Sequence, residues 1–125
     1  MRRPALTLAV FVLVLAGCGG DDQPGRTVTV APGGALRVVA KEYSFDPAGI
    51  VVKGPGVLRL TLSNEGSLAH DLKLMRDGRV VGGTAPFPAG ESRSARIPLE
   101  RGDYEFVCTV GDHEELGMKG ELRVD

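Results

Sequence analysis

Several kinds of residue are scarce in this chain, and each scarcity closes off a class of protein. Two histidines, two cysteines and three methionines occur in 125 residues. Fifteen basic residues face 16 acidic ones without a basic cluster, so the phosphate-binding surface that a nucleic-acid partner needs is missing. No stretch keeps a helical apolar period over a useful length, and 18 glycines with eight prolines would interrupt one. The long apolar run, Ala5 to Ala16, is too short to span a bilayer comfortably. The length suits a single domain with one modest core.

That apolar run follows Met1-Arg2-Arg3 and precedes Gly17-Cys18-Gly19-Gly20, the charged, apolar and small-residue order of a secretory signal. Leu15-Ala16-Gly17-Cys18 resembles a bacterial lipobox, in which cleavage before the cysteine leaves it lipidated as the new N-terminus. The expectation is a signal over 1–17, a flexible tether over 18–26 that starts at lipidated Cys18, and one domain over 27–125. This places the protein outside the cytoplasm, anchored to the cell membrane and facing a periplasm or the cell surface. Two alternatives stay open: an uncleaved anchor, or an ordinary signal whose Cys18 pairs with Cys108. Residues 1–17 carry two arginines and no acid, so the mature chain has 13 basic against 16 acidic residues, a formal charge of −3.

From Thr27 onward, short alternating runs are cut by Gly and Pro. Thr27 to Val30, Ala35 to Val39, Gly49 to Val52, Val57 to Leu62, Leu72 to Leu74, Ser92 to Ile97, Tyr104 to Cys108 and Gly120 to Val124 each suit a strand half buried on one face. The fold class predicted is all-β, a two-sheet Greek-key sandwich of about seven or eight antiparallel strands.

Scarce residues gather near the end of the chain. Cys108 closes a strand-like run, His113 lies five residues on in a Gly-bearing loop, and Met118 five further, before the last strand. His70, the only other histidine, follows the turn-rich Asn64 to Ala69 and in a Greek key can reach the same end. Two imidazoles, one thiolate and a weak axial thioether form the donor set of a type 1 copper site. Zinc is less apt, because methionine is not among its usual ligands. Taken singly each residue has a plainer reading: a buried cysteine is most often a small hydrophobe, and a methionine core filling.

Tyr43-Ser44-Phe45-Asp46-Pro47, Asn64-x-Gly66-x-x-x-His70, Gly102 to Cys108 and Gly117-Met118-Lys119-Gly120 are similar to segments of the small cupredoxins of the plastocyanin, azurin and pseudoazurin kind. The resemblance covers residues 27 to 125. It implies one type 1 copper ion held by His70, Cys108, His113 and Met118, and an electron-transfer role. Two departures stand out. Asp71 replaces the usual asparagine after the first histidine, and Gly111-Asp112 stands where relatives often have Pro-Gly. Asp71 is expected to accept from the Thr109 hydroxyl and, by its added negative charge, to lower the reduction potential.

In such proteins electrons leave by the second loop histidine, here His113. Leu68, Pro86, Phe87 and Leu116 are the candidates for an apolar docking patch around it, rimmed by Asp112, Glu114 and Glu115. Partners would be transient redox proteins with a basic docking face, met by a monomer. An enzyme is not expected, since a second metal centre would need more histidines. The alternative from another class is a copper carrier or store outside the cytoplasm.

Overall fold

The structure, a computed structural model, describes residues 25–125. The expected signal peptide, Cys18 and the tether up to residue 24 lie outside the described residues.

Among the described residues ten strands form: β1 (Thr27–Val30), β2 (Ala35–Lys41), β3 (Ser44–Asp46), β4 (Gly49–Val52), β5 (Gly56–Asn64), β6 (Lys73–Arg76), β7 (Arg79–Gly83), β8 (Ser92–Leu99), β9 (Gly102–Val107) and β10 (Lys119–Val124). One sheet has the order β1-β4-β10-β9-β6-β7 and the other β3-β2-β5-β8. The period of two in the sequence decides which side chains meet between them. Leu58, Leu60 and Leu62 of β5 point inward, as do Ile97 and Leu99 of β8, Tyr104 and Phe106 of β9, and Leu122 and Val124 of β10. Arg59, Glu105, Glu121 and Arg123 alternate with them on the outer faces. Phe45 of the smaller sheet meets Phe106 of the larger edge to face, with ring centroids 5.4 Å apart. Each fully buried leucine or phenylalanine contributes about 1.5–3 kcal/mol, which sets the two sheets face to face.

The all-β sandwich matches the sequence expectation, with two corrections. The sheets are mixed: β1 and β10 both run parallel to β4, and β2 runs parallel to β5. The chain changes sheet between β1 and β2 and again between β3 and β4, so β4 returns beside β1 in the same direction. Alternation of apolar residues is blind to strand direction, so the sequence could not reveal this. Two strands were also missed. β3 is only three residues long, and β7 is an edge strand whose Val80 and Val81 face outward.

Two local devices fix the end of the sandwich away from the scarce residues. The Tyr104 hydroxyl accepts from the Glu100 N–H at 3.0 Å and donates to the Glu100 carbonyl at 3.2 Å, a tyrosine corner before β9. The Lys53 ammonium meets the Asp125 carboxylate at 2.9 Å, tying the end of β4 to the end of β10.

Candidate metal centre

β9 and β10 are antiparallel neighbours, and the segment between them carries three of the four expected donors. Its base is closed by backbone: the Cys108 N–H donates to the Met118 carbonyl at 3.1 Å, and the Met118 N–H donates to the His113 carbonyl at 3.0 Å. A turn from Val110 to His113, with Gly111 at φ 50°, folds the segment back over its own base. Gly117, at φ 100°, adopts the left-handed backbone that lets the chain re-enter the sheet at Met118.

His70 arrives from the other side. It lies on an isolated bridge to Phe87, the two residues exchanging backbone hydrogen bonds of 3.2 and 3.0 Å. Asn64 at the end of β5 anchors the link before it. Its side-chain amide donates to the carbonyls of Leu68 and Phe87 at 2.9 and 3.1 Å, and its carbonyl accepts from the Gly66 N–H at 3.1 Å.

The two approaches converge. His70 Nδ1 lies 3.9 Å and His113 Nδ1 3.4 Å from Cys108 Sγ, and one donor atom from each residue falls within 4.8 Å of the others. His70 and Cys108 are fully buried, while His113 keeps 6% exposure. Met118, also fully buried, adjoins Cys108 and His113 through the backbone bonds just described. Three donors placed trigonally at ordinary metal–nitrogen and metal–sulfur lengths stand about 3.8 Å apart. The observed spacing therefore fits a metal ion between them. The donor set, two imidazole nitrogens and a thiolate beside a thioether-bearing residue, suits copper.

Electrostatics around the sulfur act in both directions. Burial is the largest influence and pushes the Cys108 thiol up from its ordinary value. The backbone N–H groups of Asp71 and Val110 pull it down, and the negative charge of Asp71 raises it again. A metal ion in this place would compete with the thiol proton, as metals do at any cysteine site.

Asp71 and Thr109 join the two approaches. Asp71 Oδ1 accepts from the Thr109 N–H at 2.6 Å, and Oδ2 accepts from the Thr109 hydroxyl at 2.5 Å. Lys73 Nζ, 3.9 Å from Oδ2, supplies the nearby positive charge.

Of the four residues assigned to a docking patch, Leu68 (46%), Leu116 (50%) and Pro86 are exposed. Phe87 is a correction: it is 3% exposed and packs in the core, because its backbone bridge to His70 turns the ring inward. The loop from Pro86 to Gly90 does lie beside His70, as the strand order predicts. Two neighbours of the site were not foreseen. Tyr43, 36% exposed, sets its ring 5.0 Å from that of His113, and Glu42 reaches His70.

No protein-family model and no curated protein sequence matches the chain. Solved structures do. Reduced auracyanin from the photosynthetic bacterium Roseiflexus castenholzii superposes with a TM-score of 0.69 at 18% identity, covering 73% of this chain and 96% of that one. An azurin from Methylomonas sp. strain J gives 0.64 at 16% identity, covering 73% and 97%. Rusticyanin from Thiobacillus ferrooxidans gives 0.66 at 19% identity, covering 82% and 86%. The fold is cupredoxin-like. At these identities the likeness is one of architecture, and the reading of the site rests on the residues themselves.

Proposed function

We propose that this protein is a type 1 copper electron carrier. The observation that carries the reading is the buried convergence of His70 Nδ1, His113 Nδ1 and Cys108 Sγ beside Met118 in a cupredoxin-like sandwich. Copper, when bound there, supplies a one-electron Cu(II)/Cu(I) couple. The residues supply the rest. Cys108 and Met118 offer soft sulfur to the reduced ion, His70 and His113 offer nitrogen to both states, and the strands at either side hold the four in place. Auracyanin and rusticyanin, both solved in reduced form, are consistent with a redox use of this architecture.

His113 is the proposed exit for the electron, being the one donor with residual exposure. Leu68 and Leu116, exposed large apolar residues, with Tyr43 beside the His113 ring, would form the docking surface. Asp112, Glu114 and Glu115 are exposed around it and favour a partner with a basic face. The Met1 to Cys18 sequence supports export and a lipid anchor, which would keep the copper domain at the outer face of the cytoplasmic membrane.

The test is the visible and EPR spectrum of the purified protein with Cu(II), before and after a mild reductant. An intense blue thiolate band with narrow copper hyperfine splitting, bleached reversibly and absent in Cys108→Ser, is the expected result. A colourless protein that binds Cu(I) would make it a copper carrier, and absence of binding would return the four residues to the core.

A further inference from the structure

His70 has a second partner. Its Nδ1 faces Cys108, and its Nε2, across the ring, lies 3.0 Å from Oε1 of Glu42. The His70 side chain is fully buried and that of Glu42 is 26% exposed. The same Oε1 accepts from the backbone N–H groups of Ser67 and Leu68, each at 2.8 Å. Two backbone N–H groups and the imidazole Nε2 thus meet on one oxygen. Glu42 is pulled from 4.5 down to about 2, chiefly by the Leu68 and Ser67 N–H groups, with His70 acting in the same direction.

Gly66 makes this approach possible. A Cβ there would stand 2.5 Å from Oε1 and 2.7 Å from Oε2 of Glu42. A carboxylate on a free side chain would move aside at little cost. Here moving aside forfeits all three hydrogen bonds, including the one to His70.

The pairing has two chemical consequences. A neutral imidazole carries one N–H, and a bond to the carboxylate oxygen puts that proton on Nε2, leaving the Nδ1 lone pair directed to the side of Cys108. A negative charge on the far side of the ring also raises the donor strength of Nδ1 and favours the more positive state of a bound metal.

We infer that Glu42 is a positioning residue of the metal centre: its carboxylate fixes His70 as an Nδ1 donor before any metal arrives, and biases the loaded centre toward the oxidised state. The second half rests on the copper reading above, whereas the first holds for the metal-free protein.

Nitrogen-15 NMR of histidine in the metal-free protein tests the first half. The expected result is a hydrogen-bonded, exchange-protected Nε2–H on His70, kept in Glu42→Gln, whose amide oxygen can accept the same three bonds, and lost in Glu42→Ala and Gly66→Ala. A proton on Nδ1 in the unsubstituted protein, or a signal unchanged in Glu42→Ala, would overturn it. Redox titration of the copper-loaded protein tests the second half. Glu42→Gln, with its charge removed and its bonds retained, is expected to shift the Cu(II)/Cu(I) ratio about tenfold toward Cu(I) at a fixed solution potential, a rise of about 59 mV. Equal potentials in the two proteins would sink the charge argument. Absence of a copper charge-transfer band in the unsubstituted protein would instead sink the proposed function, and the NMR result would still decide the role of Glu42 toward His70.

Discussion

Asp71 and Thr109, far apart in sequence, are joined by two hydrogen bonds that use both carboxylate oxygens of the one and both donors of the other. Through them the residue after His70 grips the residue after Cys108. Thr109→Val keeps shape and the backbone bond but leaves Oδ2 of a fully buried carboxyl group without its hydroxyl donor. It should destabilise the metal-free protein by about 1–3 kcal/mol in urea unfolding. Asp71→Asn retains acceptance from the N–H while removing the charge, and should raise the potential measured after copper loading. An unchanged or lower potential would show that Asp71 is electrostatically silent.

Gly120 lies directly opposite Phe106 in the β9–β10 ladder. An added Cβ would strike the Phe106 ring and stand 2.5 Å from the backbone oxygen of Ala48. The ring can rotate only into a filled core, and the carbonyl cannot move without disturbing the chain before β4. Gly120→Ala should therefore cost about 3 kcal/mol, near the upper end for an overpacked position. Urea midpoints within a few tenths of a molar of the parent would contradict this packing.

Glu105 and Glu121 face each other across the same two strands, both exposed. Like charges directly opposed weaken a sheet, and the nearby Arg123 offers no relief, since its guanidinium is paired with Asp125. Glu121→Thr should stabilise by about 0.2–1 kcal/mol in low salt, and the gain should shrink as salt screens the parent. A gain independent of salt would assign the effect to strand propensity instead.

The Lys53–Asp125 pair makes an acid-side prediction. Asp125 sits below its ordinary 3.8, chiefly through the hydrogen bond from Lys53. A carboxyl group lowered on folding contributes stability that is present above its unfolded value and is lost as pH falls below 3.8 through the lower folded value. Asp125→Asn should thus melt earlier than the parent at neutral pH, by a small margin suited to an exposed pair, and converge with it below pH 3.8. Parallel melting curves down to strong acid would remove the pair from the stability balance.

What was legible in the sequence follows its physical signals. Alternating runs such as Tyr104 to Cys108 announce a half-buried strand, because burial on one face has a period of two. The meeting of His70, Cys108 and His113 was legible because such scarce residue types at such spacing are improbable without a shared task. Strand direction was hidden, since nothing in the alternation of β1 or β2 encodes it. β7 was hidden because its valines are exposed, although the Asp77-Gly78 pair at its start, both residues at positive φ, is a hairpin signal. Glu42 could not be read at all. It is one of 16 acidic residues, and its value comes only from the folding of β2 past the link that carries His70.

Three donors ride on one connection between β9 and β10, and that connection is sealed at its base by the Cys108–Met118 backbone bond. Within it Thr109 and His113 are held by the site, whereas Glu114 to Leu116 are exposed and belong to neither strand. Change is thereby confined to a rim: that stretch can vary the surface near His113 while the sandwich below keeps its packing.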